Sequence, residues 1–204
     1  MNLFIVGAQS EYKYRFICYL GKYLSGKYRV GIVSLYKKDN YTTDIYEIEE
    51  QEDMVINCDS INAYQYDVVL YDVNRYRGDL PEGKKVYYTT IDKSYMDKNK
   101  LNFSTCMEEE SSILIFDNLP RGSSIDKRFL CKYLLGDIQA KHNLFCIHSN
   151  LEVQKILLEN DYKQRYSLKR LKGEYRNTII NICNLVGLTG GDEAKEILRI
   201  CERR

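Results

Sequence analysis

Residues 2–14 read NLFIVGAQSEYKY, a short apolar run that meets a polar turn at Gly7. Beyond the turn, Phe16, Ile17, Leu20 and Leu24 recur at the spacing of one helix face. The pattern predicts a buried strand, a tight turn and a helix whose N-terminus could face an anion. Because many nucleotide-binding proteins open in this way, we tested the turn against the phosphate-binding loop pattern.

The turn keeps part of the pattern G-x-x-x-x-G-K-[ST] and lacks the rest. Gly7 and Lys13 stand in register with the first glycine and the lysine. Tyr12 takes the place of the second glycine, and Tyr14 takes that of the hydroxyl that binds magnesium. The sequence therefore indicates the remains of a nucleotide site on an intact scaffold. Lys13 is interpreted either as a residual phosphate contact or as a solvated lysine in the first helical turn.

Length and composition are those of a globular protein that can bury a substantial core. The chain has 204 residues, of which 44% are hydrophobic and 29% are charged. Its net charge of +1 makes no general electrostatic case for a nucleic-acid partner. We find neither a signal peptide nor an apolar run of the roughly 18 residues that a bilayer requires.

The seven cysteines are scattered and include no C-x-x-C pair. Such a distribution favours small core residues in a reducing compartment over a disulfide or metal framework. We therefore predict a cytoplasmic protein, peripheral to the inner face of the membrane if it meets one, and no metal site.

Apolar runs alternate with helical patterns along the rest of the chain. The predicted strands after the first occupy residues 29–35, 54–58, 67–72, 85–90, 113–116 and 144–147. Strands that are apolar throughout predict a mainly parallel sheet with helices on both faces. The fold class is therefore α/β, a doubly wound sheet of P-loop NTPase type, in a single domain over residues 1–204.

Four connecting segments have local signals of their own. Residues 44–53 carry six carboxylates and predict a solvated connection or a short helix. Residues 74–83 are short for a parallel crossover, which leaves a trimmed crossover and a hairpin as alternatives. Ser124 and Asn150 are candidate N-caps. A long helix is predicted over residues 166–188, before a C-terminal helix in residues 189–204.

The order of these elements resembles the ParA/MinD group of P-loop ATPases, which includes the pilus-localisation proteins TadZ and CpaE. The resemblance covers about residues 1–187. Four segments carry it: the loop Gly7–Tyr14, the strand Arg29–Tyr36, the Walker B-like strand Tyr66–Asp72 and the strand Ile113–Asn118. Residues 150–153 and 166–187 match the C-terminal pattern of the family. It implies ATP or ADP with magnesium as cofactor, at vestigial positions Gly7, Lys13, Asp72 and Asn118.

The departures from that family predict that the chemistry is lost. The family's additional lysine near the start of the loop has no counterpart, and Ser34 and Tyr36 stand where its acids would be. Phosphoryl transfer depends on a positioned loop, lysine and metal. We therefore expect no hydrolysis, no catalytic residues and no bound cofactor. Asp72 is alternatively an acid that ends a strand, and Asn118 a turn residue before Pro120.

One basic segment is interleaved with tyrosines. Its cations are Lys163, Arg165, Lys169, Arg170, Lys172 and Arg176. They are interpreted as a solvated helix face or as a surface for an acidic protein, an anionic membrane or nucleic acid.

Three functions follow as hypotheses. The leading one is a non-hydrolysing ParA/MinD-like pseudo-ATPase that acts as a binding or localisation module, as TadZ-like proteins do in a pilus or secretion apparatus. In that family the face around the nucleotide loop serves dimerisation and docking, which makes a second copy or an assembly ATPase the expected partner. The alternatives are a nucleotide-binding switch with an atypical loop and a nucleic-acid or membrane adaptor that uses residues 162–176.

Overall fold

The structure of the protein is a computed structural model. The structure describes residues 1–34, 49–51, 54–57, 65–75, 80–106, 112–136, 142–163, 166–171 and 173–201.

An eight-stranded sheet forms the centre of the protein. Its strands are β1 (Asn2–Val6), β2 (Val30–Ser34), β3 (Glu49–Gln51), β4 (Met54–Asn57), β5 (Val68–Val73), β6 (Lys84–Thr90), β7 (Ile113–Leu119) and β8 (Asn143–His148). The order is β3-β4-β2-β5-β1-β6-β7-β8. All neighbouring strands are parallel except β3, which runs antiparallel to β4. The prediction of a mainly parallel sheet is confirmed.

Helices cover both faces of this sheet, as predicted. They are α1 (Glu11–Ser25), α2 (Lys93–Cys106), α3 (Lys127–Leu135), α4 (Leu151–Tyr162), α5 (Glu174–Leu185) and α6 (Glu193–Cys201). One hydrophobic core lies between the sheet and α1, α4, α5 and α6, and the other lies between the sheet and α2 and α3. Strand β1 serves both, since Leu3 and Ile5 face the first core while Phe4 and Val6 face the second.

Two predictions about the helices are wrong in detail. The long helix over residues 166–188 is replaced by a shorter α5, because Gly173 at φ +72° precedes it in a conformation that no helix contains. Upstream, Leu168 and Leu171 are buried without a helix, and the Tyr166 ring meets the Tyr19 ring edge-on. Tertiary packing, rather than helix propensity, therefore organises this segment.

The predicted cap of α3 is also displaced. Asp126 accepts a hydrogen bond from the Phe129 amide at 2.8 Å and begins the helix, two residues after Ser124. Asn150 caps α4 as predicted, through the amides of Glu152 and Val153.

Two connections are clarified by the pairing of the strands. Part of the acidic segment 44–53 forms β3 instead of a loop or helix, since Glu49–Gln51 pairs with β4; residues 44–48 and 52–53 lie outside the described part. Strands β5 and β6 lie on opposite sides of β1 and both run parallel to it. Residues 74–83 therefore form a crossover and not a hairpin, although 76–79 are not described.

Five cysteines whose side chains the structure describes are free thiols. Cys18, Cys183 and Cys201 are buried among apolar side chains, as predicted, while Cys131 and Cys146 are half-buried. Among the described residues, no helix has the length and apolar character that crossing a bilayer requires.

Candidate functional site

The candidate site lies where β1 and β5 end and α1 begins. Ile5 is in register with Asp72, and Val6 with Val73, so the turn that follows β1 lies beside the end of β5. Ser10 caps α1 by accepting a hydrogen bond from the Lys13 amide at 3.1 Å. This geometry brings the predicted residues Gly7, Lys13 and Asp72 together at the carboxyl edge of the sheet, where open α/β sheets bind their ligands.

Lys13 points into the protein and its ammonium group is fully enclosed. Its Nζ donates to the carbonyl oxygens of Gly7 at 2.6 Å and of Val73 at 2.8 Å. It also lies 2.8 Å from Asp72 Oδ1, and both side chains are almost completely buried. Because an ammonium has three donors, these contacts use its whole capacity. The alternative of a solvated lysine is wrong.

The charge on Lys13 is maintained by Asp72. Burial lowers the pKa of Lys13 to about 8, while the charge and the hydrogen bond of Asp72 act against that shift. Lys13 therefore stays protonated at neutral pH. The two residues form a buried ion pair, and removal of either one would take away the opposite charge that stabilises the other.

The amides of the turn also have partners within the protein. Gly7 N donates to Val73 O at 3.0 Å, and Ala8 N donates to Asn99 Oδ1 at 2.6 Å. Gln9 N donates to Asn74 Oδ1 at 3.1 Å. In a phosphate-binding loop, consecutive amides of this kind point inward and surround the phosphates. Here three consecutive amides are engaged by the chain itself.

The two asparagines that engage the turn were not identified from the sequence. Asn99 is 91 positions from its partner Ala8 and lies buried on α2, and Asn74 directly follows β5. No local pattern marks an asparagine that pairs with a remote turn. The one available signal for Asn99 is its polar side chain beside the apolar positions Met96 and Phe103 of α2.

Gly7 is required by close packing. A Cβ atom built on Gly7 would lie 2.1 Å from the carbonyl oxygen of Tyr88 in the neighbouring strand β6. Because that oxygen belongs to the backbone of a buried strand, it has little room to move. The glycine shared with phosphate-binding loops thus serves strand packing here.

Asn118 lies elsewhere, at the end of β7. Its backbone has φ +62°, a left-handed conformation that asparagine tolerates, and its Oδ1 accepts from Gln154 Nε2 at 3.1 Å. It lines a cavity of about 20 Å³ with Tyr12, Arg15 and Tyr175 among others. That volume holds one or two water molecules and is too small for a purine. A purine contact by Asn118 therefore remains a prediction.

Asp117 is a buried carboxyl group that sequence reasoning missed. It accepts a hydrogen bond from the Tyr88 hydroxyl at Oδ2 and one from the Asn118 amide at Oδ1, the latter at 2.6 Å. Burial raises the pKa of Asp117 to about 6, and the two hydrogen bonds act against that shift. The signal available in the sequence was an acid that follows four apolar residues of a buried strand.

This carboxyl group predicts a specific pH dependence of stability. A folded-state pKa above the unfolded value means that the folded protein binds more protons between about pH 4 and about pH 6. We expect this group to lower the free energy of unfolding by about 2–3 kcal/mol as pH rises through that window. Urea unfolding across the window should show the decrease in the wild type and not in Asp117→Asn. Equal pH profiles of the two proteins would contradict the assignment.

The predicted basic surface does not form one helix face. Lys163 ends α4, Lys169 is exposed in the non-helical segment, and Arg170 pairs with Glu159 at 2.6 Å. Arg176 is half-buried on α5. Arg165 and Lys172 lie outside the described residues. The described cations of the segment therefore lie on three structural elements, and their role in binding remains a prediction.

No metal-binding cluster is found in the described ranges. No group of three or more His, Cys, Asp or Glu side chains there could hold a metal ion. Asp72, the one carboxylate that the family pattern places near magnesium, instead directs Oδ1 to Lys13.

The fold is similar to those of two solved proteins. A ParA family ATPase from Chlorobium tepidum TLS shares 12% sequence identity at a TM-score of 0.59, with 88% of this chain and 95% of that one covered. MinD in the MinC:MinD cell division complex of Aquifex aeolicus shares 11% identity at a TM-score of 0.61, with 93% and 98% covered. The sequence matches no protein-family model and no curated protein. The predicted resemblance is confirmed at the level of the fold.

Proposed function

We propose that this chain, which has the ParA/MinD-type fold, is a non-hydrolysing pseudo-ATPase that works as a binding or localisation module. The proposal assigns it a scaffold role in the cytoplasm and no phosphoryl transfer. The observation that carries it is that the Lys13 ammonium is hydrogen-bonded to the carbonyl oxygens of Gly7 and Val73 and paired with Asp72.

This engagement opposes nucleotide binding on energetic grounds. In an active loop the lysine reaches the β- and γ-phosphates. To do so here, Lys13 would have to leave Asp72, which is itself 2% exposed. The buried carboxylate would then lose its ion-pair partner Lys13 and would lie near an incoming triphosphate of the same sign. Both the loss of the pair and the repulsion raise the free energy of the bound state.

The remaining parts of a nucleotide site also do not fit a magnesium-bound triphosphate. The amides of Gly7, Ala8 and Gln9 would have to give up partners within the protein. Tyr14 replaces the small hydroxyl that coordinates magnesium in phosphate loops. With these groups absent or engaged, the positioning and charge stabilisation that phosphoryl transfer needs are missing.

A protein partner suits a scaffold that has lost its chemistry. MinD, whose fold this chain shares, is found in a complex with MinC. We assign the present chain a protein partner as well, in the manner of TadZ and CpaE in pilus or secretion assembly. The rival function is a nucleotide-binding switch with an atypical loop, which the strand–turn–helix context would also allow. It differs from the proposal because it requires nucleotide binding to the folded protein.

Thermal unfolding with and without magnesium–ATP separates these two functions. A ligand that binds the native state with a Kd of about 50 μM would, at about 5 mM, stabilise it by about 2.7 kcal/mol and raise Tm by several degrees. We expect no increase with ATP or ADP, and no phosphate release. Sodium triphosphate at equal ionic strength controls for anion effects. A nucleotide-specific rise in Tm would support the switch, and turnover would overturn the proposed pseudo-ATPase function.

A further inference from the structure

The two edges of the sheet are unequal. At one edge, β3 has three residues and runs antiparallel to its neighbour. At the other, β8 has six residues, NLFCIH, with no acid, lysine, arginine or proline. Proteins commonly protect an edge strand by making it short or by placing charges or proline in it. Strand β8 has none of these features.

The hydrogen-bond directions along β8 follow from its register with β7. Asn143 N donates to Ser112 O at 2.9 Å, and Asn143 is paired with Ile113. In a parallel ladder, alternate residues direct both backbone groups to the same neighbour. Asn143 and Phe145 therefore face β7, while the N–H and C=O groups of Leu144 and Cys146 point away from the sheet.

As far as the described residues show, the outer edge of β8 is closed at its carboxyl end and accessible in the middle. Glu174 on α5 accepts a hydrogen bond from the His148 amide at 2.9 Å, which caps the carboxyl end of the strand. Leu144 and Cys146 are half-buried and line an open groove of about 330 Å³ between β8 and the loop before α3. Leu119, at the end of β7, and Ile125 also line this groove. An added strand would thus find the backbone groups of two residues, beside a groove that Asp126, Lys127 and His148 also line.

We propose that β8 pairs with β8 of a second copy of this chain, antiparallel and across a twofold axis at Phe145. In this register, Leu144 of each copy lies opposite Cys146 of the other. The outward N–H and C=O groups of both residues are then satisfied by the same groups of the partner. The two eight-stranded sheets become one continuous sheet.

The second copy is favoured over a foreign peptide by the composition of the paired residues. An isologous contact requires a self-complementary surface, and Leu144, Phe145 and Cys146 carry no charge, so they pair with themselves without like-charge repulsion. The leucine side chain that each copy presents lies on the same face as the groove beside Cys146. Because the contact is limited to one short strand and its groove, we expect a weak dimer with a Kd in the micromolar to millimolar range. The proposal is independent of nucleotide binding.

Sedimentation equilibrium over a range of concentrations tests this pairing. We expect the wild type to pass reversibly from monomer to dimer and Cys146→Lys to raise Kd by about tenfold or more, because an edge lysine opposes pairing. Leu101→Lys is the matched control, since it places the same charge on α2 at a residue that is 76% exposed. Its Kd should equal that of the wild type. A wild type that stays monomeric, or a dimer that Cys146→Lys does not weaken, would overturn the proposal.

Cross-linking gives a second measurement that does not depend on the lysine variant folding. In the proposed register, Leu144→Cys places a thiol opposite the partner's Cys146 with Cα atoms about 5.5 Å apart, a separation that a disulfide spans. Oxidised glutathione should therefore convert this variant to a reducible covalent dimer. Ser124→Cys, at an exposed position of the adjacent loop, is the control and should remain monomeric. Equal cross-linking of both variants, or of neither, would contradict the register.

Discussion

Replacement of Lys13 by alanine is expected to lower the free energy of unfolding by about 3–5 kcal/mol, because it removes the ion-pair partner of the buried Asp72 carboxylate. The substitution also removes the donor from the carbonyl oxygens of Gly7 and Val73. A lysine that merely contacted a phosphate would lie near solvent, and its loss would change stability by less than about 0.5 kcal/mol. Chemical denaturation in the absence of nucleotide measures the difference.

A double-mutant cycle shows whether the ion pair is the cause. Lys13→Met with Asp72→Asn removes both charges and keeps similar volumes, so we expect it to recover about 2 kcal/mol relative to the sum of the single changes. Arg29→Ala with Asp67→Asn is the control cycle, because that pair is solvent-exposed. Its coupling energy should be below about 1 kcal/mol. A similarly small coupling for Lys13 and Asp72 would refute the enclosed ion pair.

The second large effect is expected at Gly7. In Gly7→Ala the new Cβ would lie 2.1 Å from Tyr88 O, well inside contact distance. Relief of that overlap requires β1 and β6 to separate or the turn to move, and either change disrupts the partners of the turn amides. We expect a loss of about 4 kcal/mol, which is near the upper end for a single substitution. Urea unfolding, with circular dichroism to verify the fold, provides the value.

A glycine without neighbours serves as the matched control for this substitution. A Cβ atom on Gly191 would have nothing within 4 Å, and its backbone is not in the left-handed region. Gly191→Ala should therefore change stability by less than about 1 kcal/mol, with a gain possible from the reduced entropy of the unfolded chain. If Gly7→Ala were equally mild, the close contact with β6 would be refuted.

Local patterns sufficed for most of the architecture. Buried parallel strands are recognisable because both of their faces are apolar, and β1, β5 and β7 have that character over nearly their whole length. The elements that pattern analysis missed or misplaced depend on remote contacts. β3 exists through its pairing with β4, and α5 begins late because residues 166–171 pack against other parts of the chain.

The sequence predicted that Gly7, Lys13 and Asp72 lie close together, but neither the separate position of Asn118 nor the contacts of these residues. Gly7, Lys13 and Asp72 were identified because a strand–turn–helix unit and the end of a neighbouring parallel strand meet at one edge of a sheet. The direction of the Lys13 side chain was not identifiable, since it depends on the carbonyl oxygen of Val73 and the carboxylate of Asp72, both on β5.

Spacing along the chain was thus enough to establish the α/β scaffold and to show that the residues for phosphate and magnesium binding are incomplete, since both are properties of neighbouring positions. The tertiary structure alone decided that Lys13 is enclosed and that asparagines from two distant elements hold the turn. The physical reason is that burial removes water from the Lys13 ammonium and from the amides of the turn. Each of these groups must then form a hydrogen bond within the protein, and only the tertiary fold determines which residue is near enough to be its partner.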